Sequence, residues 1–531
     1  MNADQIAKTL STLKSLRSPH ESVWRDCFDH SYPIRGSGFC TEQISAIEAQ
    51  MRKARMIDGT TTDAARILSS GIMSGLTPAN SLWFGMDVGQ ESEDERRWLD
   101  DSADILWQNI HASNFDAAAF EGLIDVVCAG WFALYIDQDM EKGGFTFDLW
   151  PIASVYASAS KAGGKIDTVY REYTLTAEQA VNEFGEENLS DGTRKLAKDK
   201  PQEPVKFVHA IYPRTTHMVN AKLAKNMPVA SCKVEVAAKK LVSESGYHEM
   251  PVVVPRWMMI PDSVYAVGPV FDALPDARTL NELCRMDLAA GDLAIAGMWI
   301  AEDDGVLNPR TVKVGPRKII VANSVDSMKP LQSGSNFQYA ETKIQRLQGS
   351  IRKILMADQL QAQDGPAMTA TEVHVRVNLI RQLLGPVYGR LQTEYLQPMI
   401  ERCFGIAYRA GVLGAAPESL AGRNFTVRYL SPLARSQKLE EVTAIDTFIQ
   451  GALIVAQADP TVMDNIDMDE AQRFKGEALG VPGSIIRSSA DRDKIRQDRA
   501  QAQQAAQEQA QQQMMAQQAS DAALKQQGAA A

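Results

Sequence analysis

Hydrophobic residues in the N-terminal part of the chain recur at the spacing of amphipathic helices. Hydroxyl side chains at Thr60 to Thr62 follow the turn sequence Asp58-Gly59 and can cap a helix. The periodic pattern of this helix stops near Gly75. A more polar stretch from Glu91 to Ala119 repeats at the same spacing. The pattern predicts an N-terminal region built from helices.

Short runs of aromatic and β-branched residues replace the helical pattern in the middle of the chain, and glycine pairs separate some of them. The predicted strands are Trp131–Asp137, Phe145–Trp150, Ile152–Ala157, Ile166–Leu175, Lys206–Tyr212, Cys232–Val242 and Val252–Trp257. The sequence Thr176-Ala177-Glu178-Gln179 is a capping box, and the helix that it starts should end at Gly185. This region is therefore predicted to be mixed α+β.

Two helical stretches then flank a β-containing insertion. The first stretch spans Asp276 to Ala296, and its apolar side is formed by Leu280, Cys284, Leu288 and Ile295. The insertion, Ala301 to Ser335, contains two β-like runs, Thr311–Val314 and Lys318–Ala322. The second stretch spans Asn336 to Met356, with an apolar stripe of Ile344, Leu347, Ile351 and Leu355. The pattern predicts a hairpin of two helices with a β tip.

A polar loop and a long helix follow this hairpin. The loop, Ala357 to Met368, is rich in glutamine, and Thr369 to Glu372 can cap the next helix. Pro386 and Pro398 should kink or break that helix, because each proline removes an N–H and clashes with the preceding turn.

The C-terminal part of the chain has weaker patterns. A strand is predicted over Phe425–Leu430 and a helix over Glu440–Gln457. Glutamine and alanine dominate from Asp491 onward, and both residue types favour helix although almost no apolar stripe is present.

Composition and charge narrow the class of protein. The chain has 531 residues, of which 45% are hydrophobic and 23% charged, enough to form several buried cores and unlike a disordered or fibrous chain. Its six cysteines are scattered, so we expect neither a disulfide scaffold nor a cysteine zinc cluster. This cysteine usage indicates a reducing cytosol. A net charge of −11 restricts any DNA contact to local patches. No signal peptide or membrane span is expected from the sequence.

Motifs of catalysis are missing from the sequence. It contains no phosphate-binding loop, no nucleophile elbow and no paired histidines of a zinc protease. Cys27, His30 and Cys40 lie close together in the sequence, but a fourth metal ligand is missing. We therefore expect no enzyme, cofactor or metal, and a nuclease or NTPase of unfamiliar type is only a remote alternative.

Dispersed short motifs extend over most of the chain, from about Leu10 to about Arg499. They are Trp24, Pro33, Asp58-Gly59-Thr60, Leu76-Thr77-Pro78, Trp83-Phe84, Gly130, Tyr135, Tyr265, Gly268-Pro269, Asn281, Thr369-Ala370-Thr371-Glu372-Val373, Gly385-Pro386-Val387, Gly480-Val481-Pro482 and Ile486-Arg487. In these motifs and in the order of its elements, the chain resembles the head-to-tail connector, or portal, proteins of short-tailed bacteriophages.

The resemblance implies a mainly α fold with α+β wing and clip, assembled as a ring. By position, the wing is 1–264, the first stem helix region 265–300, the clip 301–335, the second stem helix 336–356 and the channel loop 357–368. The long kinked helix and return to the wing is 369–430, the crown 431–489, and a C-terminal helix or barrel 490–531.

The resemblance also implies a function and partners. The expected assembly is a dodecamer at one capsid vertex, through whose channel double-stranded DNA is packaged and ejected. The expected partners are the terminase large subunit, tail adaptor or nozzle proteins, capsid and scaffolding proteins, and internal core proteins. The expected location is the virion, after assembly in the host cytoplasm, with no membrane partner. A self-assembling cytosolic scaffold or adaptor without a DNA channel is the alternative.

Three sets of residues are candidates for contact with DNA or partners. In the channel loop they are Gln359, Gln361, Gln363 and Asp364. In the second stem helix a basic strip of Lys343, Arg346 and Lys353 either faces the channel or pairs with acidic residues of a neighbouring subunit. In the clip, Arg310, Lys313, Arg317 and Lys318 could touch DNA or a protein partner.

Overall fold

A computed structural model describes most of the chain. The described residues are 2–36, 39, 51–88, 93–141, 143–161, 163–218, 223–296, 298–301, 328–331, 337–360, 385–420, 425–429, 432–456, 459–479, 492–504 and 509. The chain divides into two compact units, Met1–Leu82 with Ile105–Gly414 and Trp83–Asp104 with Ala415–Ala531. The described part is mostly helical with several antiparallel sheets, which agrees with the mainly α fold with α+β regions predicted from the sequence.

The helices are α1 (Ala3–Asp29), α2 (Thr60–Leu76), α3 (Glu93–Ala112), α4 (Phe115–Ala129), α5 (Ala177–Phe184), α6 (Asp191–Asp199), α7 (Pro269–Ala296), α8 (Phe337–Ile354), α9 (Gln397–Arg409), α10 (Pro432–Ala456) and α11 (Met468–Leu479). Residues 385–391 and 492–504 are also helical. The strands are β1 (Phe84–Asp87), β2 (Ala133–Gln138), β3 (Phe145–Trp150), β4 (Val155–Ser158), β5 (Thr168–Thr176), β6 (Pro204–Pro213), β7 (Val229–Glu235), β8 (Lys240–Tyr247), β9 (Val252–Val253), β10 (Met258–Met259), β11 (Ala266–Val267), β12 (Met298–Ala301), β13 (Met328–Leu331) and β14 (Thr426–Tyr429).

The first unit contains an antiparallel sheet of five strands in the order β4-β5-β6-β7-β8. Helix α1 covers one face of this sheet, where Ile6, Leu10 and Leu13 are buried in one core with Tyr170. The short helices α5 and α6 cover strands β5 and β6, where Phe184 packs beside Phe207. The sheet is therefore covered on one face by a helix distant from it in sequence and on the other by the two short helices that lie between its own strands.

One of the two predicted helix caps is confirmed. The Thr176 hydroxyl accepts from the Gln179 N–H at 3.2 Å, and the Gln179 side chain accepts from the Thr176 N–H at 3.0 Å. The helix that they cap ends at Gly185, as predicted. Helix α2 begins at Thr60, but the predicted cap by the hydroxyls of Thr60 to Thr62 is wrong. Its N-cap is Gly59, which has no side chain, and Asp58 Oδ1 instead accepts from the Thr60 N–H at 2.8 Å.

Several predicted boundaries are wrong. The run Ile152–Ala157 begins with a 3-10 turn, Ile152–Ser154, and only Val252–Val253 of the run Val252–Trp257 form a strand. The run Cys232–Val242 is not one strand, because residues 236–239 form a turn between β7 and β8. The stretch Glu91–Ala119 contains the break between α3 and α4, where the Asn114 amide bonds the backbone of Phe147 through both its oxygen and its nitrogen, at 2.9 and 2.8 Å. A contact with a distant strand thus interrupts the helical periodicity.

A second sheet, in the order β3-β2-β9, contacts both α4 and α9. The Arg402 guanidinium on α9 donates to Glu249 Oε2 at 3.2 Å, and Arg409 donates to both Glu249 oxygens. These cations hold the pKa of Glu249 below its usual value although burial alone would raise it. The ionised carboxylate therefore fixes α9 against this sheet.

The second unit contains the β1-β14 pair and the helices α10 and α11. Strand β14 matches the predicted strand, and α10 starts earlier than predicted, at Pro432. Lys475 on α11 forms an ion pair with Asp446 on α10. Asp469 forms ion pairs with Arg492 and Arg496 of the helical residues 492–504.

Candidate functional site

Helices α7 and α8 form an antiparallel pair in the first unit. Strand β12 follows α7 and strand β13 precedes α8. The two strands pair in an antiparallel register that places Met298 opposite Leu331 and Ala301 opposite Met328. Toward the end of the pair that lies away from these strands, the Ser350 hydroxyl donates to Asp276 Oδ2 at 2.6 Å. The helix hairpin predicted from the sequence is therefore present, and α7 starts earlier than predicted, at Pro269, where a missing N–H is tolerated.

Burial decreases along the pair toward the strands. Leu280 on α7 and Ile351 on α8 are buried, each 1% exposed or less. Nearer the strands, Leu288 is 58% and Ile295 is 89% exposed. The predicted apolar side of α7 is thus covered at one end of the helix and uncovered at the other.

The two helices of the pair carry opposite charge. Helix α7 has five acidic and two basic side chains, whereas α8 has four basic side chains and one acidic one. Although the net charge of the chain is −11, α8 carries a local excess of positive charge. Local excess of this kind is what contact with phosphate requires.

Polar side chains anchor both helices to one turn, which we call the root of the pair and define as Arg55 to Thr60. On α7, the Asn281 side chain accepts from the Ile57 N–H at 2.7 Å and donates to the Arg55 carbonyl at 3.1 Å. On α8, the Gln348 amide donates to Asp58 Oδ2 at 2.8 Å. The other oxygen of Asp58 accepts from the Thr60 N–H at the start of α2. One turn thereby fixes three helices.

The sequence indicated Asp58 as part of a turn before α2 and Asn281 only as a matching residue, and it did not single out Gln348. A signal for Gln348 exists, because this amide lies between Leu347 and Ile351 in a stripe that is otherwise apolar. A polar side chain in such a position usually has a hydrogen-bond partner in the fold.

Replacing Asn281 with alanine should destabilise the root. The change removes two hydrogen bonds to the backbone, and we expect a loss of about 1–2 kcal/mol in the free energy of unfolding. Urea denaturation followed by circular dichroism measures this loss. Thr279→Ala, on the exposed side of α7, is the control and should change stability by less than about 0.5 kcal/mol. Equal effects of the two variants would contradict the anchoring role.

Aromatic side chains pack where the chain enters α7. Trp24 on α1 is 1% exposed, and its ring centroid lies 5.2 Å from that of Tyr265 and 5.5 Å from that of Trp131. The Trp24 indole N–H donates to the Ala266 carbonyl at 3.1 Å. The Tyr265 hydroxyl accepts from the Ala157 N–H at 3.2 Å. Residues from distant parts of the sequence thus meet just before α7.

Two glycines allow the backbone to pack closely at the same place. Gly130 ends α4 with φ of 93°, and a Cβ on it would lie 2.3 Å from the Val267 carbonyl carbon. A Cβ on Gly268 would lie 2.3 Å from the Val127 carbonyl oxygen. Because neither position has space for a side chain, both glycines are required for this contact.

The predicted basic strip divides into two parts. Arg346 and Lys353 are exposed, whereas Lys343 is half-buried with its ammonium 5.5 Å from the Tyr339 ring centre. Gln359, predicted in the channel loop, lies in a short helical turn, Ala357–Leu360, with a buried side-chain oxygen that has no hydrogen-bond donor among the described residues. Leu360 of this turn lies close to Gly71 on α2.

Other predicted site residues lie outside the described part of the chain. These are Gln361, Gln363 and Asp364 of the channel loop, and Arg310, Lys313, Arg317 and Lys318 of the clip. The predicted strands Thr311–Val314 and Lys318–Ala322 and the helix start at Thr369 also lie outside it. Pro398 lies in the first turn of α9, directly after a π-helical segment, Gln392–Leu396, and Pro386 lies within the helical residues 385–391.

Two of the reactive side chains in the described residues, Cys27 and His209, are buried rather than presented to a ligand. Burial raises the pKa of the Cys27 thiol to about 12, so the thiol remains protonated at neutral pH. Burial lowers the pKa of His209 to about 3, so this imidazole is neutral. His30 Nδ1 bonds the Asp26 carbonyl at 2.9 Å, and Cys40 lies outside the described residues.

No described helix has both the length and the apolar character needed to cross a bilayer.

The chain belongs to the bacteriophage head to tail connecting proteins, whose family pattern it matches over residues 3–486. Proteins of this family are structural. The connector function predicted from the sequence is therefore confirmed at the level of the family.

Two relatives are similar over nearly their whole length. The chain is 28% identical to the portal protein of Salmonella phage epsilon15 over 521 residues, which covers 94% of this chain and 92% of the relative. It is 26% identical to a probable portal protein of Bordetella phage BPP-1 over 505 residues, which covers 93% of this chain and 90% of the relative. Both relatives are named as portals, as the sequence resemblance implied.

Proposed function

We propose that copies of this chain form a dodecameric ring at one capsid vertex, around a channel through which double-stranded DNA is packaged and ejected. The observation that carries the proposal is the uncovered end of the α7–α8 pair, where Leu288 and Ile295 are more than half exposed. Exposed apolar groups of this size are typical of surfaces that another protein covers. Neighbouring pairs in a ring would cover them, and the portal names of the relatives support the same assembly.

The segments have proposed places in this ring. The wing is 1–264 together with the long kinked helix and return, 369–430. The stem is formed by the helices within 265–300 and 336–356, with the clip, 301–335, at its end. The channel loop is 357–368, the crown 431–489, and the C-terminal helix or barrel 490–531.

Partners follow from the same assembly. The clip would dock the terminase large subunit during packaging and tail adaptor or nozzle proteins afterwards, through Arg310, Lys313, Arg317 and Lys318. Capsid and scaffolding proteins would contact the outside of the ring, and internal core proteins the end inside the capsid. Assembly would take place in the host cytoplasm and the finished ring would be part of the virion.

Electron microscopy of negatively stained recombinant protein tests the proposal. Rings of about twelve copies with a bore of about 20 Å or more are expected, because a DNA duplex must fit through the bore. Monomers or open filaments would contradict the channel and favour a scaffold or adaptor.

The glutamines of the channel loop should keep DNA movement fast. Amides can exchange hydrogen bonds with passing phosphates, whereas added cations bind phosphates more strongly and make the interaction salt-dependent. Lysine at both Gln361 and Gln363 is therefore expected to slow DNA translocation, measured as the packaging rate. Asparagine at both positions is the control with unchanged charge. Unchanged rates in the lysine variant would contradict this role.

A further inference from the structure

One exposed face of α8 contains amide, hydroxyl and basic side chains. We call it the polar face, and its members are Gln338, Thr342, Gln345, Arg346, Arg352 and Lys353, all of them exposed. These positions recur at three to four residues, so they lie on one side of the helix. Gly349 continues the face without a side chain, and a Cβ there would meet nothing within 4 Å.

The cations of the polar face have no acidic partner among the described residues. No ion pair involves Arg346, Arg352 or Lys353 there, although α8 and α7 lie side by side. Glu341, the only acidic residue of α8, is at the edge of the face and accepts from the Gln345 amide at 3.2 Å. The positive charge of the face is therefore available to an outside partner.

The exposed surface of α7 has a different chemistry. Large apolar side chains are exposed there, with Met286 at 54% and Leu288 at 58%. Its cations are already paired, because Arg285 binds Glu282 and Arg278 binds Asp26, in each case at 2.6 Å. Interface cores between proteins are apolar and depleted in lysine, so this surface suits a neighbouring copy of the chain.

We propose that α8 is the DNA-facing helix of the pair and that its polar face contacts the phosphates of double-stranded DNA. Amide, hydroxyl and guanidinium groups are the side chains that bind phosphate oxygens without reading sequence. Arg346 and Lys353 lie two helical turns apart, about 10 Å along the axis, so they reach different phosphates. The inference rests on the proposed function, because it requires a ring with DNA in its channel.

A cross-linking experiment tests which helix faces the DNA. Gln345→Cys on α8 and Glu282→Cys on α7 lie at nearly the same height, because Asp276 and Ser350 are in contact and the helices are antiparallel. Each variant is labelled with a photoactivatable cross-linker, assembled into DNA-containing particles and irradiated. We expect DNA adducts from position 345 and at least tenfold fewer from position 282. The unsubstituted chain, whose described cysteines are buried or half-buried, measures the background.

The remaining outcomes overturn the inference in different ways. Adducts from position 282 alone, or equally from both positions, would show that α8 is not the DNA-facing helix. A cross-link from position 345 to a second copy of the chain, without DNA, would show that the polar face is a subunit interface. Failure to form rings at all, seen by electron microscopy before irradiation, would instead contradict the proposed function.

A charge variant separates phosphate contact from mere proximity. Arg352→Gln should make the yield of DNA adducts from position 345 less dependent on salt, because one phosphate contact is lost. Arg285→Gln on α7 makes the same chemical change away from the polar face and should leave the salt dependence unchanged. Equal salt dependence in both variants would contradict phosphate contact by Arg352.

Discussion

Replacing Trp24 with alanine should lower the free energy of unfolding of the first unit by about 3–5 kcal/mol, the range for a fully buried tryptophan. The indole is 1% exposed and packs against Tyr265 and Trp131, so the change leaves a cavity before α7. It also leaves the Ala266 carbonyl without its donor. Because Ala266 directly precedes the turn into α7, the helix pair should lose its fixed entry point.

Thermal unfolding and circular dichroism would measure the effect. Leu16→Ala on the same helix is the matched control, because Leu16 is 61% exposed and its loss should change stability by less than about 0.5 kcal/mol. Tyr265→Phe removes only the hydroxyl that accepts from the Ala157 N–H and should have an intermediate effect. A Trp24→Ala variant as stable as the control would show that the aromatic cluster does not support α7.

Elements defined by local chemistry could be predicted from the sequence. The capping box at Thr176 and the start of α2 at Thr60 depend on residues within one helical turn, and both are found where predicted. The hairpin of α7 and α8 was predictable because its two helical patterns are long and a β-containing segment separates them.

Features set by distant contacts could not be predicted in this way. The break before α4 depends on Asn114 bonding the backbone of β3. The anchoring of α7 depends on Asn281 bonding a turn more than two hundred residues earlier in the sequence. In both cases the side chain is an ordinary amide, and only the fold shows which backbone groups it binds.

The candidate site was likewise predictable from the sequence only in part. Periodicity located the apolar stripes of α7 and α8, but it could not show that Leu280 would be covered and Leu288 left exposed. The basic strip was visible as a charge pattern, yet Lys343 turns toward Tyr339 whereas Arg352 joins Arg346 and Lys353. Which cations stay exposed depends on how the helix packs, because packing decides which side of it is covered.

Breaking the buried ion pair between Arg256 and Glu394 should destabilise the first unit by about 3–5 kcal/mol, because the remaining charge would lack its counterion. Arg256 donates to the two Glu394 oxygens at 2.7 and 2.9 Å, and the side chains are 3% and 13% exposed. Glu394 lies in the π-helical segment that leads into α9, and Arg256 also donates to the Val264 carbonyl. The pair therefore joins that segment to the chain just before α7.

Urea denaturation of Arg256→Met, Glu394→Leu and the double variant tests this role. Each single variant should lose several kcal/mol, whereas the double variant should lose much less than their sum, since it leaves no unpaired charge. Arg285→Gln breaks the exposed pair with Glu282, whose side chains are 60% and 49% exposed, and should cost less than about 1 kcal/mol. Additive losses in the double variant would mean that each side chain contributes through its own packing, and that the charge pair does not join the π-helical segment to the entry of α7.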